Sequence, residues 1–444
     1  MMAATVREAQ PAQLCPLLAA VFAALDQAGI SYTLLRGSEE LLDGAIDGDV
    51  DLLVAAAQFG QLRRTLEQAG FVALARWGQA PHHFFIGYDE SADDWIKLDV
   101  LTELVYGQPI PALRTDLAAR CLEHRVRSGP AFVLAAEEEI LTLLLHCLLD
   151  KGRFEPKYRV RLAELAEAIH DHRAMGALVA RYLPAQASWE QIRQLVGNGA
   201  WEELLRLGSA VAGHLARRDP LGTRWRRAVM PLLRVLDRRT RAFRTRGLTV
   251  ALLAPDGAGK TTLARSLGQA FYLPTRYIYM GTNPNSGSLT LPTTRLLARM
   301  GGRRRPLVRA LSALNSIVEQ GLRYRVGAYH RQRGRLVVFD RYASGSLIGA
   351  QDGPPHKQLR RWAMRLICPP PDIVVYLDAP AEVLYQRKQE HSPDQIERQR
   401  QHYRHILAGV AGTAVVDAGR EPEEVRRRVA ALIWRRYALG MQKR

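Results

Sequence analysis

The chain reads as an α/β protein. Its C-terminal half is built on a parallel sheet, and in front of it stands a separate α+β domain with a helical cap. Three observations predict this. From residue 248 onward, short apolar runs alternate with helix-forming segments, the pattern of a parallel sheet with crossover helices. Between the first run and its helix lies Ala254-Pro255-Asp256-Gly257-Ala258-Gly259-Lys260-Thr261-Thr262, a loop of small residues ending in Lys-Thr-Thr. Charge also divides the chain: residues 1–215 carry 19 Lys and Arg against 28 Asp and Glu, whereas residues 216–444 carry 43 against 16. The resulting nets of −9 and +27 mark a domain boundary and predict an anionic partner for the second half.

At 444 residues the chain has room for two or three domains. The four cysteines, Cys15, Cys121, Cys147 and Cys368, follow neither metal-ligand nor disulfide-framework spacing, which points to a reducing, cytoplasmic setting. Leu14 to Leu25 is apolar, but Pro16 interrupts it and no processing region follows, so it reads as an N-terminal core helix. No run reaches the roughly 18 apolar residues of a membrane span. The expected segments are a domain over 1–130, a helical cap over 131–215, a basic linker helix over 216–246 and a second domain over 247–444.

In the first domain, Ser31 to Leu35 reads as a strand running into Arg36-Gly37-Ser38. Gly48-Asp49-Val50-Asp51-Leu52-Leu53-Val54 follows. Two carboxylates one residue apart on a strand share a face and suit a divalent cation. A third strand-like stretch, Trp95 to Val100, carries Asp99. From Ala135 to Leu215 the period turns helical, with Ile140, Leu143, Leu144 and Cys147 forming one stripe and Leu162, Leu165, Ala166 and Ile169 another. His146 fits either a satisfied core position or the wall of a cleft. Arg217 to Arg246 holds eleven arginines interleaved with Trp225, Val229, Leu232, Leu233 and Leu236, and Pro231 is placed to bend or restart the helix. Such a helix either packs its apolar side on a neighbouring domain or lies on an anionic membrane.

The second domain opens with the apolar run Leu248–Leu253, the small-residue loop and a helix from Leu263 to Phe271. Strand, loop, helix is the setting of a phosphate-binding loop and predicts a P-loop NTPase fold. Backbone N–H groups converge on an anion, and the helix N-terminus adds partial positive charge. The nucleotide-binding set is therefore Asp256, Gly257, Ala258, Gly259, Lys260, Thr261 and Thr262. Lys260 is placed for the β- and γ-phosphates of ATP and the Thr261 hydroxyl for Mg²⁺. Ala254 stands where the motif has its first glycine. Further on come strands at Tyr277–Met280, Arg335–Tyr342, Asp372–Asp378 and Ala414–Asp417, a Gly/Pro/Ser-rich loop from Gly281, helices between Thr293 and Arg333 broken near Gly301–Pro306, and a closing helix, Pro422 to Leu439. A ligand belongs at the strands' C-terminal ends.

Two resemblances follow from these residues. Gly37-Ser38, Asp49, Asp51 and Asp99 resemble the nucleotidyltransferase superfamily over about residues 20–130. That resemblance implies a Gly-Ser turn holding a triphosphate and three acids binding two metals. Residues 247–440 resemble thymidylate kinases of the nucleoside monophosphate kinase branch, on Asp256 to Thr262, Asp340-Arg341-Tyr342 and Tyr376-Leu377-Asp378-Ala379-Pro380. By resemblance, Asp340 helps hold Mg²⁺, Arg341 contacts the acceptor phosphoryl group and Asp256 touches the acceptor's sugar. Lid cations would neutralise the transferring group, Arg387 and Lys388 first, Arg398 and Arg400 next. The family's Arg-Glu-Pro-Gly-Gly segment is replaced by Tyr279-Met280-Gly281-Thr282-Asn283-Pro284-Asn285, so dTMP is not the expected acceptor.

The expected function is thus an ATP- and Mg²⁺-dependent kinase acting on a nucleoside monophosphate, a related sugar phosphate or a glycan. Two other readings stand beside it: a nucleotidyltransferase of a surface-polysaccharide or nucleotide-sugar pathway with an accessory kinase-like domain, and a nucleotide-gated, membrane-associated adaptor. No nucleic-acid partner is expected.

Overall fold

The computed structural model describes residues 14–42, 44, 48–74, 76, 78–244, 246–281, 291–299, 306–342, 355–410 and 412–442. Most of the loop after Gly281 and the Arg303–Arg305 run lie outside the described residues. The chain divides into two compact units, Met1–Arg239 and Thr240–Arg444.

The first unit is built on a mixed sheet. Its strands are β1 (Tyr32–Leu34), β2 (Val50–Val54), β3 (Val72–Leu74), β4 (His82–Asp89) and β5 (Asp94–Leu101), with a small pair β6 (Val105–Tyr106) and β7 (Leu113–Arg114), then β8 (Val126–Ser128) and β9 (Ala131–Val133). Seven of them pair in the order β3-β4-β5-β2-β1-β9-β8. β2 and β5 run parallel, with Asp51 opposite Asp99. One face of the sheet packs on the helix Pro16–Gln27, through Leu18, Val21, Phe22 and Leu25, and on Leu62 and Leu66 of the helix Phe59–Gln68. Pro16 does not interrupt the first helix but begins it, because a proline in the first turn gives up an N–H that has no partner there. Helices from Ala136 to Arg218 enclose a second core. The first of them, Ala136–Leu145, continues as a π-helical turn, His146–Lys151.

The helix Pro220–Arg244 runs past Pro231 as a single element. The first of the two expectations, an apolar side packed on the neighbouring domain, does not hold. Thr223 and Asp237 are buried, while Leu221, Trp225 and Leu232 are 77%, 68% and 70% exposed. No helix among the described residues is long and apolar enough to cross a membrane.

The second unit holds β10 (Leu248–Leu253), β11 (Thr275–Tyr279), β12 (Leu336–Asp340), β13 (Ile373–Asp378) and β14 (Thr413–Asp417). They pair in the order β11-β12-β10-β13-β14, every pair parallel. All six residues of β10 are buried, as a central strand covered on both faces requires. The mixed α/β architecture with this parallel sheet is consistent with a P-loop kinase fold. Parallel pairing sets Leu252 beside Asp340, so the loop after β10 and the last residue of β12 meet at one edge of the sheet.

Gly247 feeds the chain into β10 between two carbonyls. Its N–H donates to the Arg331 carbonyl at 2.8 Å. A Cβ at this position would lie 2.0 Å from the Arg335 carbonyl oxygen and 2.7 Å from that of Arg331. Both neighbours are backbone and cannot swing aside. Gly247→Ala should therefore destabilise the second unit by about 1–3 kcal/mol, the usual range for overpacking, read as a lower midpoint in denaturant. An unchanged midpoint would show that the strand start relaxes freely.

Candidate functional site

The loop Ala254–Gly259 leaves β10 and enters the helix Lys260–Ala270 at its first turn. Gly257 and Gly259 both hold positive φ, 90° and 77°. At Gly257 a side chain is also excluded by space, since a Cβ would stand 2.7 Å from the Leu384 carbonyl oxygen. Ala254 is not among the positive-φ residues, so the first motif glycine is replaced where no glycine conformation is needed.

Lys260 is buried, 7% exposed, and donates to the carbonyls of Ala254 at 3.0 Å and Pro255 at 2.7 Å. Burial pushes its pKa down to about 8, against the opposing pull of Asp256. A buried ammonium bonded to two neutral carbonyls, its nearest carboxylate oxygen on Asp256 3.9 Å away, favours an incoming anion.

Asp340 ends β12, 2% exposed. Its Oδ2 accepts from the Tyr277 hydroxyl at 2.8 Å and from the Thr261 hydroxyl at 3.4 Å. Its Oδ1 is buried with no hydrogen-bond partner. Burying half a carboxylate unsatisfied is costly unless something binds it. An open carboxylate oxygen beside a threonine hydroxyl is the donor set of a Mg²⁺ site, so the residues fit that ion. Tyr277 carried no signal in the sequence; only strand pairing brings β11 beside β12.

Arg341 follows in a left-handed conformation, φ 59°, which a non-glycine residue rarely adopts. Its guanidinium closes on the Asp256 carboxylate. His391 Nε2 lies 3.5 Å from the other Asp256 oxygen. Asp256, Arg341 and the loop are thus one connected cluster.

The expected lid cations divide. Arg387 donates to the Ala418 carbonyl at 2.6 Å, and Arg400 binds Asp378 at 2.9 Å and Glu397 at 2.5 Å. Arg404, not anticipated from sequence, also holds Asp378, at 2.6 Å. Arg398 is exposed on the helix Pro393–Leu407. Lys388 is half exposed, pairs with Glu390 at 3.0 Å and borders the loop, its Cβ 3.5 Å from where one would sit on Gly257. Of the four, it stands beside the phosphate loop.

In the first unit the acids are distributed differently from the expectation of one metal cluster. Asp49 precedes β2 rather than lying on it and is closed on by Lys97. Asp51 takes both Nε and Nη2 of Arg36, at 2.9 and 2.6 Å. Burial alone would lower the Arg36 pKa, but Asp51 holds it above its ordinary value. Asp99 meets Nδ1 of His82 with both oxygens, at 3.0 and 2.9 Å. Asp49 and Asp51 line a cavity of about 560 Å³ together with Gly37 and Ser38, whereas Asp99 and His82 line a neighbouring one of about 310 Å³. His146 lines both, bonded to Asp150 at 2.9 Å, and burial lowers its pKa. Among the described residues, the group with ligand atoms within 4.8 Å of one another is Asp256, Glu390 and His391, not the three aspartates. The reason is local: each aspartate already has a basic partner.

These pairs predict separable effects on stability. Asp51→Asn leaves the largely buried Arg36 without its charge-assisted bonds and should cost about 1.5–3 kcal/mol. Asp49→Asn removes a more exposed pair and should change stability by less than about 1 kcal/mol. Denaturant titration of the two variants measures the difference; equal effects would contradict this assignment of partners.

Residues 255–429 match the family model of thymidylate kinase. No curated protein matches the chain significantly. A solved thymidylate kinase from Candida albicans is similar over 41% of this chain and 89% of its own, at 16% identity and a TM-score of 0.31. The match spans 175 of the 444 residues. It is a similarity of part of the second unit to thymidylate kinases, and it supports an ATP-dependent nucleoside monophosphate kinase.

Proposed function

We propose that the second unit transfers the γ-phosphoryl group of ATP to the phosphate of a nucleoside monophosphate or a related sugar phosphate, releasing ADP. The observation that carries this is the buried Asp340 carboxylate, with one oxygen open, beside the Thr261 hydroxyl and at the mouth of a loop that holds a buried Lys260. The family match to residues 255–429 supports the same reading.

In this proposal the loop N–H groups and the helix N-terminus bind the nucleotide's phosphates. Lys260 leaves the carbonyls of Ala254 and Pro255 for the β- and γ-phosphate oxygens. Thr261 and Asp340 would hold Mg²⁺, which would supply positive charge against the nucleotide's phosphates. Arg341, oriented by Asp256, faces the acceptor's phosphoryl group. Lys388 completes the charge from the lid side. Absence of the Arg-Glu-Pro-Gly-Gly segment removes contacts expected for dTMP, and losing placed hydrogen bonds shifts selectivity by orders of magnitude. We therefore rank dTMP below other phosphorylated acceptors.

One observation favours a second activity in the first unit: Asp51 and Asp99 stand opposite each other on parallel strands, and Gly37-Ser38 shares a cavity with Asp49 and Asp51. On that reading the unit is a nucleotidyltransferase and releases pyrophosphate, which separates it from a kinase.

Lys260→Ala should lower ADP formation by at least about a hundredfold, since it removes a charge aimed at the transferring group. The assay runs nucleoside monophosphates, dTMP included, and sugar phosphates at fixed Mg-ATP, with circular dichroism checking the fold. Full turnover by a folded Lys260→Ala protein would end the kinase proposal, and dTMP as the best acceptor would end the ranking.

Tyr277→Phe should act on the Asp340 carboxylate and the Thr261 hydroxyl beside it. Burial and the bond to Asp340 hold the Tyr277 pKa above its ordinary value, so the phenol remains a donor. Its loss should weaken binding of Mn²⁺, used in place of Mg²⁺ with a non-hydrolysable ATP analogue, by about three- to tenfold, the worth of roughly one hydrogen bond. Nucleotide affinity without metal should not move; a variant that weakens both equally would mean that Tyr277 only supports the fold.

A further inference from the structure

The helix Pro220–Arg244 is set on the first unit by its polar side. Arg226 Nε donates to the Ala112 carbonyl at 2.9 Å, and Thr223 reaches the same oxygen at 3.4 Å. Arg234 donates to the carbonyls of Gly78 at 2.9 Å and Pro109 at 2.6 Å. The approach is close: a Cβ on Gly78 would lie 2.7 Å from the Met230 carbonyl oxygen. Together with the burial of Asp237, these contacts fix the helix's rotation about its axis.

What then faces outward is apolar. Leu221, Trp225, Leu232, Val235 and Leu236 recur at spacings of four, seven, three and one, which is one side of a helix, and they are 46–77% exposed. At about 1.5 Å per residue, the stripe is roughly 22 Å long. Arg224, Arg227 and Arg238 are exposed along its flank, and Arg239 at its end. The helix's single acid, Asp237, is on the buried side.

We propose that this face lies in the interface of an anionic membrane. Leucine and valine would enter the acyl boundary, with Trp225 at headgroup level and the flanking arginines on lipid phosphates. Charge complementarity selects this occupant. A second copy meeting the same face by two-fold symmetry would set arginine flanks against each other, a repulsive pairing. An anionic bilayer offers apolar depth and negative charge together. The helix is too basic to span, so it lies in the plane.

The test uses the full chain and co-sedimentation with vesicles of phosphatidylcholine, with and without phosphatidylglycerol. Binding is expected only with the anionic lipid and should weaken as salt rises. Trp225→Gln with Leu232→Gln keeps every charge and should reduce binding at least about tenfold, because two buried apolar side chains are lost. ADP formation and the denaturant midpoint should stay unchanged, since both side chains are exposed and neither is part of the proposed phosphate-transfer site. The proposal is overturned if anionic vesicles do not bind, or if the double variant binds as well as the parent, which would mean general attraction to a basic protein. It is overturned equally by a concentration-dependent dimer that the double variant abolishes, since the stripe would then belong to a second copy.

Discussion

Everything at the phosphate loop depends on a buried carboxylate that is only half satisfied. Asp340 reaches its place because β12 pairs in parallel with β10 on one side and β11 on the other. The first pairing brings it to Thr261 and the second to Tyr277. Both hydroxyls converge on the same oxygen, leaving the other oxygen buried and open. Shift either strand by one residue and the carboxylate turns to the opposite face of the sheet. The register of three strands is thus the physical condition for a cation site, and the fully buried β10 is what makes that register hard to slip.

How much of this was legible in the sequence depends on the range of the interaction. The phosphate loop is local: its glycines, lysine and threonine are consecutive, so spacing alone places them. Asp340 was legible as the polar end of an apolar run. Tyr277 was not, because its partner is 63 residues away and only the sheet order makes them neighbours. The lid was half legible. Basic residues at 387, 388, 398 and 400 can be counted, but which of them are occupied depends on distant groups: Arg387 on a carbonyl 31 residues on and Arg400 on an aspartate 22 residues back.

The N-terminal acids show the same limit. Three aspartates near predicted strands read as a cluster because a sequence shows charge without showing its neighbours. In the fold, Arg36 comes from the turn after β1, Lys97 from β5 and His82 from β4, and each pairs with one acid. Asp51 and Asp99 stand opposite each other in the sheet, yet their side chains serve different cavities. Backbone placement followed from pattern, while the pairing of side chains required the tertiary structure.

The linker helix shows the same limit from the side of packing. Its period predicts an apolar stripe, and a stripe on a helix beside a globular unit is ordinarily the side that packs. Here the packed side holds Thr223, Arg226, Arg234 and Asp237, because the unit's surface at that place presents backbone carbonyls, those of Gly78, Pro109 and Ala112. Arginine satisfies carbonyls that leucine would leave unpaired, at an expense of about 1–3 kcal/mol for each buried unsatisfied group. The unit therefore takes the polar side and leaves the apolar one outward, and a periodicity read from sequence gives the stripe without saying which way it faces.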